Sequence, residues 1–528
     1  MVRIVCDAVN AVVGGAGDDV RKMIQDMLSY QVEEGAYSPY GGGGWQGTST
    51  MFSWSTNSFP AGFARSIANN LKNKGIECTY LRKPMVEPLG KAKPIINNFP
   101  PNPHYAYQDE TVERMVKSGG MIAQIATGGG KSQVACKAAA RINRMTLFLT
   151  TRSLLMFQMA DAFQDSIDYR AAHGEPNLKG QKVGVVGAGE FKPSRYINVA
   201  TVQTISSWLA EPSKSLEPAK YKKQMARRQK MREFLENVTL LILEEAHESS
   251  GNSFNDIAKL CKNADYRLAL TATPFMKDST EANMRLMAVS GRIEIKVTEK
   301  YLIDRGILAK PYFQYHNSTY VPDEIRLNKE KADKFINFRL NVRDPYQKAY
   351  QLGVTYNLAR NKLIVSSALS YKKQGLNCMT LVRIERHGQI LVEMMREQGI
   401  RCDFINGKSS HDVRKKKLKS LAVGEIDVLV GSTILDVGVD VPSVGAVIIA
   451  GGGKAEVEFR QRVGRGLRAK KGKANVCFIT DFVDGFHKNL LQHSMERKTI
   501  VESTPGFAEG IQPTNQQFKF DSILRGKQ

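Results

Sequence analysis

Short apolar runs alternate with amphipathic stretches along most of this chain. Between Tyr105 and about residue 293 the runs Met121–Thr127, Met145–Thr150, Ile197–Ala200, Thr239–Leu243 and Tyr266–Thr271 carry few internal charges. Runs of this length predict strands buried on both faces, and the helical segments between them predict crossovers. The combination is an α/β pattern with a parallel sheet covered on both sides. A second series, Met379–Arg383, Cys402–Ile405, Asp427–Val430, Ala446–Ala450 and Asn475–Ile479, predicts another such sheet in tandem. Residues 1–95 predict a small α/β unit before both. There the apolar runs Val2–Val13, Thr48–Trp54 and Glu77–Leu81 are separated by the helical stretches Val20–Glu33 and Ala61–Asn73, with Gly41–Gly44 as a flexible connection. Pro94, Pro100, Pro101 and Pro103 mark a linker, since each fixes its own φ and disfavours helix before it. The expected organisation is therefore 1–95, 96–293, 294–487 and a polar C-terminal tail, 488–528.

Charge adds a partner class. Lysine and arginine total 75 against 52 acidic residues, a net charge of +23. Such an excess concentrates polyanions, of which nucleic acid is the commonest, although a generically basic protein has the same composition. The densest basic stretch is Ser213–Arg232, where Lys214, Lys220, Lys222, Lys223, Arg227, Arg228, Lys230 and Arg232 face one acidic residue, Glu217. It reads equally as a solvated helical insertion or a nucleic-acid contact. The seven cysteines are scattered singly, without metal-ligand spacing or a disulfide framework. The N-terminal residues lack the apolar run and cleavage chemistry of a signal peptide, and no uncharged run reaches membrane-spanning length. The expectation is a soluble, cytoplasmic protein without a membrane partner.

Candidate chemistry concentrates at the ends of the predicted strands. The first runs into Ile125-Ala126-Thr127-Gly128-Gly129-Gly130-Lys131-Ser132 and then a helix. Three glycines let backbone N–H groups turn towards a phosphate, Lys131 reaches the β and γ phosphates, and Ser132 offers its hydroxyl to magnesium. The helix start adds its positive dipole end. Ile125 stands where the strict pattern has glycine. The run Thr239–Leu243 continues into Glu244-Glu245-Ala246-His247. Carboxylates emerging from an apolar strand need a cation or a proton, and magnesium–triphosphate beside Lys131 supplies one. Glu244 is expected to hold the metal and Glu245 to orient and deprotonate the attacking water. An ordinary strand end before an acidic helix is the alternative, weakened by Thr271-Ala272-Thr273-Pro274 at the end of the next strand. In the second series, Gln461-Arg462-Val463-Gly464-Arg465-Gly466-Leu467-Arg468 is expected to place Arg465 and Arg468 one helical turn apart, as guanidinium groups for a transferring phosphoryl group.

With these residues in order, the chain resembles the superfamily 2 helicases over Tyr105 to Asp484. Tyr107-Gln108 resembles the adenine-reading Q motif, Thr151–Leu155 motif Ia, Val199–Thr204 motif Ic, and Glu244–His247 motif II. Thr271–Pro274 resembles motif III, Ser432–Pro442 motif V, and Gln461–Arg468 motif VI. The resemblance implies two tandem RecA-like motor domains, ATP and Mg2+ as cofactors, and nucleic acid as partner. By resemblance, Gln108 reads adenine, while Thr127, Gly128, Gly129, Gly130, Lys131 and Ser132 bind phosphate. Ser132 and Glu244 hold the metal. Gly438 and Asp440 approach the nucleotide with Gln461, Arg465 and Arg468. Arg152, Thr201, Gln203, Asn406, Gly407 and Thr433 grip the nucleic-acid backbone, and Thr271 and Thr273 couple the lobes. Glu244 departs from the usual aspartate.

Leu302–Pro311 resembles the start of the second lobe in the branch containing XPB-type, RadD-like and phage UvsW-type helicases. That branch implies a DNA helicase, active as a monomer, that remodels forks, Holliday junctions and R-loops. The length, without nuclease or zinc modules, points to a phage protein in its host's cytoplasm. Three rivals stay open: an RNA helicase, a duplex-translocating subunit of a restriction or remodelling complex, and a non-catalytic scaffold with a degenerate ATP site.

Overall fold

The computed structural model describes residues 1–32, 47–100, 102–244, 253–275, 280–318, 345–407, 409–431, 444–453, 459, 463–464, 466–470 and 474–525. They form two compact units, Met1–Ala126 with Gly130–Val297, and Thr127–Gly129 with Thr298–Gln528.

The first unit holds two main sheets. In the smaller, β1 (Val2–Cys6) pairs antiparallel with β2 (Asn10–Gly14), so the apolar run Val2–Val13 is a hairpin and not one strand. The Asp7 carboxylate makes the turn by accepting from the N–H groups of Val9 and Asn10, both at 2.8 Å. A short ladder joins β3 (Ser29–Gln31) to β4 (Thr48–Thr50). With β5 (Ser58–Pro60) and β6 (Cys78–Arg82) the order of the smaller sheet is β5-β2-β1-β6. Helices α1 (Asp18–Met27) and α2 (Ala64–Asn73) bury Val20, Ile24, Ile67, Ala68 and Leu71 in its core. α1 is shorter than the stretch Val20–Glu33 because the chain enters β3; Glu33 and the glycine cluster 41–44 lie outside the described residues.

The larger sheet is built from β7 (Gly120–Ile125), β8 (Thr146–Thr150), β9 (Gly184–Gly187), β10 (Glu190–Lys192), β11 (Ile197–Thr201), β12 (Leu240–Glu244), β13 (Tyr266–Thr271) and β14 (Ile293–Val297), in the order β10-β9-β11-β8-β12-β13-β7-β14. Every pairing except β9–β10 is parallel. Ile122, Leu147, Leu149, Leu241 and Leu243 are buried in one core, each contributing ~1.5–3 kcal/mol. The helices that carry the candidate site are α3 (Ala106–Ser118), α4 (Lys131–Ile142), α5 (Ser153–Ala172), α6 (Val202–Leu209), α7 (Pro218–Glu236), α8 (Ser253–Leu260) and α9 (Thr280–Ser290).

The two sheets share packing. Ala288 of α9, with Met284 and Met287, belongs to the core of the smaller sheet. Gly62 permits this approach: a Cβ there would lie 2.0 Å from the Met287 carbonyl oxygen. The chain is strapped down on its way into the proline-marked linker, and Asn97 within the linker donates through Nδ2 to Gln133 Oε1 of α4 at 2.8 Å. Leu89 N–H donates to Ile142 O at 3.1 Å, Gly90 N–H to Arg141 O at 3.1 Å, and Val86 N–H to the Asp265 carboxylate at 2.9 Å.

The second unit is a parallel sheet of β15 (Lys310–Ser318), β16 (Cys378–Leu381), β17 (Cys402–Ile405), β18 (Val428–Gly431), β19 (Ala446–Ile448) and β20 (Val476–Asp484), ordered β15-β20-β19-β16-β18-β17. The residues after 487 are not a free polar tail. Helix Lys488–Ser503 buries Leu490, Ser494, Arg497 and Val501, and Phe518 packs 4.9 Å from Phe478 in the core of the sheet. Polar spacing hid this, because single large aromatics such as Phe518 dock without any periodic pattern.

All seven cysteines are buried and free. Burial pushes the Cys136 and Cys261 thiols up to about 12, which leaves them unreactive. No helix among the described residues is long and apolar enough to cross a membrane.

Candidate active site

Parallel registers align the strand ends of the first unit's larger sheet. Thr201 pairs with Thr150, Glu244 with Leu270, and Thr271 with Gln124. The carboxyl edge therefore collects Thr150, Thr201, Glu244, Thr271 and the loop after Ile125. The chain leaves β7 and enters β8 three positions away, with β13 and β12 between them. Such a change of strand order opens a crevice at the carboxyl edge of a parallel sheet, where ligands of open α/β folds bind.

The loop Ala126–Gly130 joins β7 to α4. Gly128 and Gly130 take φ +83° and +77°, values that favour glycine. Gly130 is the N-cap of α4, so Lys131 and Ser132 open the helix whose N–H groups are unsatisfied by the helix itself. Gln108 of α3 is buried against this turn, and a Cβ on Gly130 would lie 2.7 Å from Gln108 Nε2. Two ion pairs clamp α3 to α4, Lys137–Asp109 at 2.7 Å and Arg141–Glu113 at 2.9 Å. Neither pair was singled out in the sequence, yet each partner set stands four residues apart on its helix, the spacing of one face.

Glu244, at the end of β12, is only 7% exposed. Thr271 is fully buried, and the Thr273 N–H donates to its hydroxyl at 3.2 Å. Gln124 of the phosphate-loop strand donates through Nε2 to Ala272 O at 3.2 Å, tying the β7 and β13 ends together. Gln124 was also missed in the sequence, where it looks like a polar interruption of an apolar run. Arg152 N–H donates to the Thr150 hydroxyl at 3.3 Å and starts α5. Thr201, the N-cap of α6, is buried with its hydroxyl donating to Thr204 at 2.9 Å, while Gln203 is exposed.

In the second unit, Asn406 and Gly407 follow β17. The Asn406 amide donates to Glu385 at 2.7 Å, and Gly407 O accepts from Arg414 at 3.0 Å. Arg468 differs from expectation. Helical residues extend to Gly466, and Arg468 forms an extended bridge with Leu308 while Ala309 N–H donates to Leu467 O. Pairing with the segment before β15 ends the helix, so Arg468 does not continue the helical face expected to carry Arg465. Glu245, Thr433, Gly438, Asp440, Gln461 and Arg465 lie outside the described residues.

The residues present fit a magnesium–nucleotide: a helix N-terminus, a glycine cradle, a lysine, a hydroxyl and a strand-end carboxylate in one sheet edge. Two known families match the chain. The family described as "Type III restriction enzyme, res subunit" matches residues 103–276, and the family "Helicase conserved C-terminal domain" matches residues 361–470. The chain belongs to the superfamily 2 helicases. Among relatives of this superfamily, it is 25% identical over 288 residues to Putative helicase 22 of Sulfolobus islandicus filamentous virus, covering 53% of this chain and 49% of that one. It is 24% identical to DNA 3'-5' translocase XPB2 of Sulfurisphaera tokodaii, over 70% of this chain and 79% of the relative. It is 21% identical to ATP-dependent DNA helicase uvsW of Enterobacteria phage T4, over 87% and 86%. The chain thus spans about half the length of the first relative and most of the other two. As a superfamily 2 helicase it carries its first family match on the larger sheet of the first unit and its second on the sheet of the second.

Proposed function

We propose that this chain is an ATP-driven DNA helicase or translocase that remodels branched DNA such as forks, Holliday junctions and R-loops. The observation that carries the reading is the grouping of the phosphate loop, Glu244, Thr271 and Thr273 at one sheet edge, with Gln108 packed against Gly130. Lys131 and the α4 N-terminus would hold the triphosphate, and Gln108 would read adenine. Ser132 and Glu244 would hold magnesium, which when bound supplies charge neutralisation at the phosphate oxygens. Glutamate suits this role because a metal contact through water tolerates the extra methylene. Glu245 would orient and deprotonate water, and Arg465 and Arg468 are the candidates for stabilising developing phosphoryl charge. Gly438, Asp440 and Gln461 would assist at the nucleotide. Arg152, Thr201, Gln203, Asn406, Gly407 and Thr433 would contact the nucleic-acid backbone, and Thr271 and Thr273 would couple hydrolysis to movement.

DNA is preferred over RNA because the two relatives matched over most of their length are named for DNA. The basic helix α7 supports a duplex contact. Lys220, Lys222, Lys223 and Lys230 are exposed, while Met231, Phe234 and Leu235 anchor its far end in the core. Arg227 lies 3.7 Å over the Trp208 ring, steadying the free part. The test is ATP hydrolysis and strand separation across forks, four-way junctions, R-loops and RNA duplexes. Greatest stimulation by RNA would overturn the DNA reading. The family description of the first lobe also favours a duplex translocase; displacement of a triplex strand without unwinding of forks would select it.

A further inference from the structure

A cavity of about 40 Å³ lies at the seam between the smaller sheet and the amino edge of the larger one. Arg267, the second residue of β13 and paired with Gly120, lines it. Four residues later the same strand reaches Thr271, roughly 13 Å away at the carboxyl edge. The cavity is therefore separate from the candidate nucleotide site. Its volume accommodates one tetrahedral oxyanion, or about three waters.

The charge around it is unbalanced. Arg65, Arg82, Arg267 and Arg292 all line the cavity, with Glu294 as the one lining carboxylate. Glu294 is already engaged by Arg292 at 2.7 Å and Arg65 at 3.8 Å. Arg82 donates to the carbonyls of Ser118 at 3.2 Å and Asp265 at 3.0 Å. Arg267 donates to the carbonyls of Ala264, Ala258 and Cys261 at 2.9–3.2 Å. None of these acceptors carries a full negative charge. The nearby Asp265 carboxylate accepts from the Val86 N–H, and Asp7 faces Lys83 at 3.6 Å. Burial pushes the Arg267 guanidinium down to about 10, in keeping with a buried cation whose own charge is incompletely matched.

Hydrogen bonding is also incomplete. Ser118 and Ser290 line the cavity with Arg82, and the Ser118 hydroxyl, the Ser290 hydroxyl and Arg82 Nε are buried without a hydrogen-bond partner. Buried donors are ordinarily satisfied, and three unsatisfied ones around a cationic cavity indicate a missing acceptor. A phosphate group supplies oxygen acceptors for hydroxyls and guanidinium N–H groups together with the absent negative charge.

We propose that this seam binds one phosphate group, held by Arg82, Arg267, Ser118 and Ser290, and that the bound group fastens the N-terminal sheet to the motor sheet. The phosphate comes either free in solution or as the terminal phosphate of a nucleic-acid strand. The test uses the full chain carrying Lys131→Ala, which silences the phosphate loop. Thermal unfolding is followed in sodium phosphate against sodium chloride at matched ionic strength, and with a 5′-phosphorylated dinucleotide against its unphosphorylated form. The expected result is a saturable Tm rise of about 3 °C with at least one phosphate source. Saturation by inorganic phosphate identifies the free anion; a response to the phosphorylated dinucleotide alone identifies a strand end. Arg82→Gln should raise the half-saturating concentration at least about 5-fold. Because Arg82 also ties two backbone carbonyls, Ser118→Ala/Ser290→Ala provides a second variant with the same expectation. No saturable rise from either source, or a response unchanged in the serine double variant, overturns the proposal.

Discussion

In the first unit β12 ends on Glu244, one strand away from the phosphate-loop strand. In the second unit β20 ends on Asp481 to Asp484, and both aspartates are held by arginines that are themselves buried. Arg360 grips Asp484 through Nε at 2.7 Å and Nη2 at 3.3 Å, and Arg497 grips Asp481 through two bonds of 2.9 Å. Both arginines also donate to backbone carbonyls, Arg360 to Ala450 and Arg497 to Gly453 and Phe482. The two sheets are both built on parallel strands but set their strand-end carboxylates in different surroundings. Those of the second unit are closed, bidentate internal pairs, whereas Glu244 sits at the edge where the glycine loop and a helix N-terminus converge. The comparison sets two closed internal pairs against a strand-end carboxylate on the candidate nucleotide edge, and so separates architecture from proposed chemistry.

The largest expected effect tests that separation directly. Lys131→Ala and Glu244→Gln should each lower nucleic-acid-stimulated ATP hydrolysis by at least about 100-fold. Their unfolding free energies should stay within about 1 kcal/mol of the parent, as for substitutions that remove functional and not packing interactions. Steady-state kinetics beside urea denaturation would show it; a Glu244→Gln protein that hydrolyses ATP normally would place Glu244 with the structural carboxylates.

Next in size, Asp484→Ala should cost about 3–5 kcal/mol in urea unfolding because it leaves Arg360 charged, buried and unpaired. Burial holds the Asp484 carboxyl above its ordinary value even with Arg360 bound, so desolvation is a large part of this pair's balance. The double replacement Arg360→Met/Asp484→Leu should therefore recover most of the loss. Equal destabilisation of single and double variants would show that the pair has a role which packing cannot replace.

A third outcome distinguishes the units by pH. His387 is fully buried, with Nε2 2.9 Å from Asn361 Oδ1 and Nδ1 without a partner. Burial, followed by the Arg360 charge, holds its imidazole down to about 3. The unfolded chain binds that proton near pH 6.5, and the folded one does not. This contribution to stability is complete above about pH 6.5 and declines as pH falls towards 3. The expected loss between pH 7 and pH 5 is about 2 kcal/mol. His387→Gln should remove that part of the pH dependence in urea titrations at the two values; an unchanged slope would assign it to other groups.

The smallest effect concerns nucleotide reading. Gln108→Ala should raise the KM for ATP about 5- to 10-fold with kcat nearly constant, the loss of one or two hydrogen bonds. A fall in kcat at constant KM would make Gln108 a support for the loop through Gly130.

Legibility followed burial. The strand Tyr266–Thr271 has its predicted bounds, and β8, β11, β12 and β18 lie within a residue or two of expectation, because strands in the middle of a parallel sheet are apolar on both faces; the edge strand β17 was legible too, as the short run Cys402–Ile405. The strands that escaped notice are β3, β5, β9, β10, β14 and β15, at or next to sheet edges. Ile293–Val297 and Lys310–Ser318 mix charged and polar residues into the run because an edge strand has fewer neighbours to bury it. The turn at Asp7 split one apolar run into two strands through a side-chain bond to two N–H groups, which hydrophobic pattern does not register. At the site, the glycine loop and strand-end carboxylates were legible as local chemistry. The α3–α4 ion pairs, the Gln124 link to Ala272 and the extended placement of Arg468 depend on partners distant in sequence.

The sequence by itself determined the α/β class, the succession of two parallel sheets and the helicase motifs, because each rests on residue types at short spacing. Only the tertiary structure decided which polar groups share an edge, that the proline-rich segment straps onto α4, and that the residues after 487 complete the second core. It also decided that four arginines meet at the seam of the first unit with a single carboxylate. The physical reason is range: backbone hydrogen bonding and periodicity write themselves into neighbouring residues, whereas the pairing of buried charge is settled by whichever distant strand or helix the folded chain brings alongside.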